Sequence, residues 1–133
     1  MARKSYLLDT SAVFSLLEDE AGADRVESLL RAEKVYLPWV ALLEVHYVSR
    51  QERGEDVANA RMALLKKLPA EVIWQHDEAA LLEASRFKAE NRVSLADALI
   101  AGLAGRLDAI LVHKDPEFEA LNGVVDLEAL PYK

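Results

Sequence analysis

Five short apolar runs recur along the chain: Tyr6-Leu7-Leu8, Val35-Tyr36-Leu37, Val72-Ile73-Trp74, Ala109-Ile110-Leu111-Val112 and Val124-Val125. None alternates apolar with polar positions. Strands of this kind are covered on both faces, which is the habit of parallel strands held between helices. Between the runs, apolar residues fall at helical spacing: Val26, Leu29 and Leu30, then Val57, Ala60, Leu64 and Leu68, then Ala80, Ala84 and Phe87. A further helical run follows the first strand, from Ala12 to Leu17. Two stretches, Trp39 to Val48 and Leu95 to Ala104, are apolar almost all round and are predicted to be largely buried helices. The pattern predicts an α/β fold with helices on both faces of a parallel sheet. No repeat or shift in composition divides residues 1–133, so one domain is expected.

Composition narrows the chemistry. A length of 133 residues supplies one self-sufficient core and no second. Cysteine is absent, so disulfide frameworks, zinc–cysteine sites, iron–sulfur clusters and cysteine nucleophiles all drop out. A formal charge of -7 is the wrong sign for gripping nucleic acid by bulk counterion release. A nucleic-acid substrate therefore requires a local source of positive charge. No apolar run approaches the ~20 residues of a membrane-spanning helix. The stretch from Tyr36 to Val48 contains Pro38 and Glu44, and no hydrophobic signal segment precedes Asp9, so a cytoplasmic protein away from membranes is expected.

Four acids stand in places that invite explanation. Asp9 closes the first strand, just before Thr10, Ser11 and a helical run. Ligands of open parallel sheets collect at that edge, and Asp is equally at home there as a helix N-cap. Asp115 repeats the placement after the fourth strand, ahead of Pro116, a residue favoured in a first helical turn. Asp97 lies three residues after Ser94, where a variant capping box is one reading and an interior site at the mouth of a buried helix is the other. Glu44 lies on an apolar stripe with Val40, Ala41, Tyr47 and Val48. A buried carboxylate costs several kcal/mol unless it is paired, hydrogen-bonded or bound to metal. A distant Arg50, Arg106 or Lys114 is the alternative partner for it.

Capping explains three of these acids one at a time, but not why Asp9 and Asp115 share the carboxyl edge of the sheet while Asp97 opens a helix near it; convergence on one cleft is the functional reading. Four carboxylates around one cleft would repel each other unless a hard divalent cation neutralised them. Oxygen donors suit Mg²⁺ or Mn²⁺, whereas His46, His76 and His113 are too scattered to recommend zinc. Such cations hold a phosphodiester, activate water and stabilise a leaving oxygen, and they supply the positive field that the chain lacks. Hydrolytic phosphodiester cleavage is the leading expectation.

The segments LLDTSA, SLADALIAGLA and VHKDPEF, with one Glu on an apolar helix between the first two, resemble a PIN-domain ribonuclease over essentially the whole chain. The nearest subgroup is the VapC-like toxins of bacterial and archaeal toxin–antitoxin pairs. The resemblance implies a PIN-like, Rossmann-like three-layer sandwich around a parallel five-stranded sheet. It implies an Mg²⁺- or Mn²⁺-dependent endoribonuclease whose catalytic quartet is Asp9, Glu44, Asp97 and Asp115. Asp9, Asp97 and Asp115 would lie nearest the metal, with Glu44 completing the cluster and Thr10, Ser11 and Glu117 in support. It further implies an RNA substrate, homodimerisation and neutralisation by a small cognate antitoxin.

One position departs from the pattern. His113 stands two residues before the last acid, where relatives carry Thr or Ser, and is read as a strand-end histidine rather than a catalytic group. Arg50, Arg53, Lys88, Arg92 and Lys114 are candidates to guide RNA, although a solvated helix face explains most such residues. A receiver-like signalling domain that binds Mg²⁺ is the alternative from another class. It would want a doubled acid after the first strand and a phospho-acceptor after the third, where the chain has Trp74-Gln75-His76-Asp77. A non-catalytic PIN-like scaffold is a third reading, and a haloacid-dehalogenase-like phosphatase lacks the second Asp two positions after Asp9.

Overall fold

The structure is a computed structural model and describes residues 4–133. The elements run β1 (Ser5–Leu8), α1 (Thr10–Leu17), α2 (Ala23–Ala32), β2 (Lys34–Pro38), α3 (Trp39–Arg53), α4 (Glu55–Lys66), β3 (Glu71–Ile73), α5 (Glu78–Glu90), α6 (Leu95–Leu107) and β4 (Ile110–His113). A 3₁₀ helix (Pro116–Leu121) and β5 (Leu127–Ala129) follow. All strand pairs are parallel, in the order β3-β2-β1-β4-β5. This is the five-stranded sheet between helices that the apolar runs predict.

Pleating sends neighbouring residues of a strand to opposite faces. Leu7 of β1 and Leu111 of β4 join one core with Phe87 and Ile100 from α5 and α6, while Tyr6, Leu8 and Val112 join a second core with Val13, Val26 and Leu65 from α1, α2 and α4. Helix α3 serves both, giving Val40 to the first core and Leu42 and Val45 to the second. It therefore lies across the end of the sheet, and Glu44 is carried to the cleft there.

Three expectations shift. The last strand is Leu127–Ala129, not Val124-Val125: Gly123 takes a φ of +85° in a turn, Asn122 and Val125 make only an isolated bridge, and Val125 is a core residue. The strand that does form contains the polar Glu128, tied to Arg25 by two hydrogen bonds of 2.8 and 3.0 Å, so an apolar-run criterion passes over it. β3 ends at Ile73, and Trp74 lies outside it and exposed. Helix α3 is not largely buried, because Leu43 and Tyr47, one turn apart, are 52% and 44% exposed. Among the described residues no helix is long and apolar enough to cross a membrane.

Close packing of α5 on α6 depends on Gly102. A Cβ there would meet Ala80 O at 2.8 Å, and the Cβ and backbone N of Ala84 at 2.9 Å each. Two of those atoms are backbone, so relief needs a helix to move. Gly102→Ala is expected to destabilise the protein by about 1–3 kcal/mol despite the better helix propensity of alanine, a change that urea unfolding would measure.

The strand order has one consequence for function. From β1 the chain builds outward through β2 to β3, then returns to place β4 on the other side of β1. The crevice beyond the carboxyl ends of β1 and β4 is thus the topological switch point, where open α/β sheets bind ligands.

Candidate metal centre at the switch point

Asp9 follows β1 directly and Asp115 follows β4 by one residue, so both hang over the crevice. The Asp9 backbone N–H extends the β1–β4 ladder, donating to Val112 O at 3.0 Å. Its side chain is the N-cap of α1, with Oδ1 accepting Ala12 N–H at 2.7 Å. Ser11 Oγ lies 2.8 and 2.7 Å from the two Asp9 oxygens and donates to them, and it accepts Lys114 N–H at 2.7 Å. One hydroxyl thus joins the loops after β1 and β4. Asp115 is likewise an N-cap, its Oδ1 accepting Glu117 N–H at 2.9 Å at the start of the 3₁₀ helix. Capping and site-building are therefore not rival readings: the same carboxylates do both.

Ser94 caps α6 as expected, accepting Asp97 N–H at 3.1 Å. Asp97 sits in the first turn of α6 and is buried. Glu44 is half-buried and accepts the Thr10 hydroxyl. None of its proposed basic partners reaches it, because Arg50 pairs with Glu55, Arg106 with Asp77 and Lys114 with Glu20. The distant-cation reading of Glu44 is thereby overturned. Among the described residues no Lys or Arg forms an ion pair with Asp9, Glu44, Asp97, Asp115 or Glu117.

These acids share one cleft of about 290 Å³, lined by Asp9, Thr10, Ser11, Phe14, Glu44, Ser94, Asp97, Asp115 and Glu117. Within it, oxygens of Asp97, Asp115 and Glu117 lie within 4.8 Å of one another, a spacing that could hold a cation. Glu117, expected only in support, belongs to that trio, whereas Asp9 stands beside it with its carboxylate engaged by Ala12 and Ser11. Sequence reasoning passes over Phe14. It follows Thr10 by four residues on α1, the spacing of side chains stacked on one helix face, so a signal for it exists.

The electrostatics bear the mark of missing positive charge. Burial pushes the Asp9 carboxyl up to about 7, opposed by its bonds from Ala12 and Ser11. Asp97 is pushed up to about 9, first by burial and then by contact with Glu117 and the charges of Asp115 and Asp9. Glu117 moves the opposite way, lowered by a hydrogen bond with the Asp97 carboxyl and by the Ser94 N–H. A single proton shared by the two carboxyls relieves their repulsion. Protons here do what a cation would do better, and an all-carboxylate donor set is the kind that Mg²⁺ and Mn²⁺ take. The residues fit the implied group.

His113 is a strand-end residue, as expected, and 1% exposed. Burial lowers its basicity, against the pull of the Asp115 and Glu119 charges. Most of the candidate RNA-guiding cations are already engaged: Arg53 pairs with Glu18, and Lys88 donates to Val93 O at 2.9 Å, besides the pairs of Arg50 and Lys114 given above. The segment where a receiver would carry its phospho-acceptor is also occupied, since Asp77 caps α5 through Ala80 N–H at 2.8 Å and meets Arg106 at 3.1 Å.

The sequence pattern of the PIN domain matches residues 6–124. The chain belongs to the PIN-domain family. Solved structures agree with that placement of the fold. This PIN domain superposes on the VapBC2 complex from Rickettsia felis, solved with a promoter DNA fragment, with a TM-score of 0.79 over 96% of this chain and 99% of the other at 16% identity. It superposes on VapBC-1 from nontypeable Haemophilus influenzae with a TM-score of 0.74, covering 94% and 97% at 20% identity. VapC20 from Mycobacterium tuberculosis, a toxin that cleaves the sarcin–ricin loop, gives 0.72, covering 95% and 99% at 16% identity. Comparison of the sequence with curated proteins gives no match.

Proposed function

We propose that this PIN domain is an Mg²⁺- or Mn²⁺-dependent endoribonuclease and the toxin of a toxin–antitoxin pair, acting in the cytoplasm as a homodimer. The observation that carries the reading is the gathering of Asp9, Glu44, Asp97, Asp115 and Glu117 around one cleft, where no Lys or Arg among the described residues is ion-paired with them. Its resemblance in fold to solved VapBC complexes supports a small protein antitoxin as partner.

Asp97, Asp115 and Glu117 would hold the cation, with Asp9 beside them. A divalent cation there would polarise the scissile phosphate and lower the pKa of the attacking water. The chain's own residues do the rest. Ser11 fixes the Asp9 carboxylate against the loop bearing Asp115, Thr10 fixes Glu44 at the cleft's margin, and Phe14 supplies an apolar wall beside the acids. Loading would displace the proton that the Asp97–Glu117 pair shares, so binding is expected to strengthen as pH rises.

The test is incubation of the purified chain with single-stranded RNA and Mn²⁺ or Mg²⁺, followed by chelation. Cleavage that starts with metal and stops with chelator is expected. Cleavage indifferent to chelator would overturn the metal dependence, and none with either ion on transfer, ribosomal or messenger RNA would overturn the activity. Acetyl phosphate, which would label a receiver, is expected to leave the chain's mass unchanged.

A further inference from the structure

We propose that His113 is a positioning residue, whose imidazole accepts from and fixes the peptide that carries Asp115 and thereby sets the cation affinity of the Asp97–Asp115–Glu117 group. The inference rests on the metal-site reading above.

The Asp115 backbone N–H donates to His113 Nδ1 at 3.2 Å. An N-cap residue's own N–H has no place in the helical ladder, so in this half-buried corner it takes a partner from elsewhere. Nδ1 can accept only when it bears no proton, which puts the ring hydrogen on Nε2. The ring itself has little freedom. It lies against Phe118 at 5.1 Å between centroids and Tyr132 at 6.2 Å, and Tyr132 is tied by its hydroxyl to Glu119 at 2.9 Å. The backbone on either side is also anchored, with His113 O accepting Leu130 N–H at 2.7 Å and Lys114 N–H bound to Ser11. His113 at the end of β4 and Lys114 after it are therefore fixed to two different parts of the fold, and Asp115 is fixed to the anchored His113. Of these three bonds, the imidazole bond is the one made by the backbone of the residue that bears the carboxylate.

The consequence is directional. The Asp115 side chain caps the 3₁₀ helix through Glu117 N–H, so tilting the 114–115 peptide displaces two of the three carboxylates together. Partners that orient metal-binding groups from behind are typically worth about 10- to 100-fold in affinity.

The experiment compares Mn²⁺ binding by calorimetry in the wild-type chain, His113→Leu and His113→Asn, with Asp97→Asn as the control for loss of the site. His113→Leu keeps apolar bulk and removes the acceptor. Its affinity is expected to fall about 10- to 100-fold. His113→Asn can offer an amide oxygen near the place of Nδ1 and is expected to recover most of that loss. The smaller Asn leaves a cavity and a buried amide, so a merely structural role makes it the worse variant in both stability and binding. Positioning predicts opposite rankings: Leu at least as stable as Asn by thermal melting, yet weaker in Mn²⁺ binding. Equal Mn²⁺ affinity in His113→Leu and the wild type overturns the proposal and leaves the metal site standing. Absence of Mn²⁺ binding in the wild type overturns both. Should the variants fail to fold, the ring nitrogens of the wild type decide by long-range ¹H–¹⁵N correlation: Nε2–H is expected, and Nδ1–H overturns the proposal.

Discussion

Asp9→Asn and Asp97→Asn are expected to abolish metal-dependent RNA cleavage while leaving the far-ultraviolet circular dichroism of the wild type. Each replaces a carboxylate by an amide of the same shape, so the caps of α1 and α6 keep their acceptors: the amide oxygen introduced at position 9 can still take Ala12 N–H, and Ser94 still takes the N–H of residue 97. What disappears is negative charge at the one place where five acids converge. The loss in cleavage should exceed the about 10- to 100-fold that removal of an outer partner costs. For Asp97 the calorimetric signal of Mn²⁺ binding should vanish too, since its oxygen belongs to the trio within 4.8 Å. Unchanged cleavage by both variants would refute the nuclease reading. Cleavage lost together with the circular dichroism signal would assign the two acids to folding alone.

Without divalent cations, the buried Asp9 and Asp97 carboxyls are expected to subtract from the protein's stability as the pH rises above about 4. The Asp9 carboxyl, ordinarily 3.8, stands near 7 in the folded chain, and Asp97 near 9. Between those values the folded state holds protons that the unfolded chain has released. The contribution of these two carboxyls must then fall with pH, because the slope follows the protons bound in the unfolded state minus those in the native state, while Glu117 and His113, both lowered, oppose it over their own ranges. The contribution is fully present below about 4, lost from Asp9 through about 7, and lost from Asp97 through about 9. For Asp9 alone the loss at pH 8 is about 2–4 kcal/mol, on the order of 10 °C in melting temperature for a domain of this size. Saturating Mn²⁺ should flatten the profile, since a bound cation stabilises the ionised carboxylates. Melting curves taken across that range with chelator and with Mn²⁺ make the measurement. A chelated protein whose stability rises steadily to pH 9 would show that these acids are compensated in some other way. The same reasoning makes Asp9→Asn more stable than the wild type at pH 8 without metal, and close to it at pH 4. Function and stability would then oppose each other at a single residue.

Local composition carries much of this protein. Leu7 and Leu8 are adjacent, and both are buried, so coverage of the sheet on both faces was legible from the sequence. Sequence reading failed where burial and element type part company. Val125 is buried without lying in a strand, and Glu128 lies in a strand without being apolar. Helix α3 exposes Leu43 and Tyr47 because it crosses the end of the sheet, a placement that its own residues do not encode.

By itself, the sequence determined the α/β class, the caps, and which acids stand at the ends of strands and helices, since backbone hydrogen-bonding needs and apolar coverage are written within a few residues. Only the tertiary structure decided that β4 lies beside β1, so that the Ser11 hydroxyl can donate to Asp9 and accept from Lys114, 103 residues away. Equally apolar strands carry no local mark of which neighbour they will choose. It also decided that Glu117 joins Asp97 and Asp115 while Asp9 turns toward its cap, because carboxylate direction follows from hydrogen bonds formed only once the loops meet.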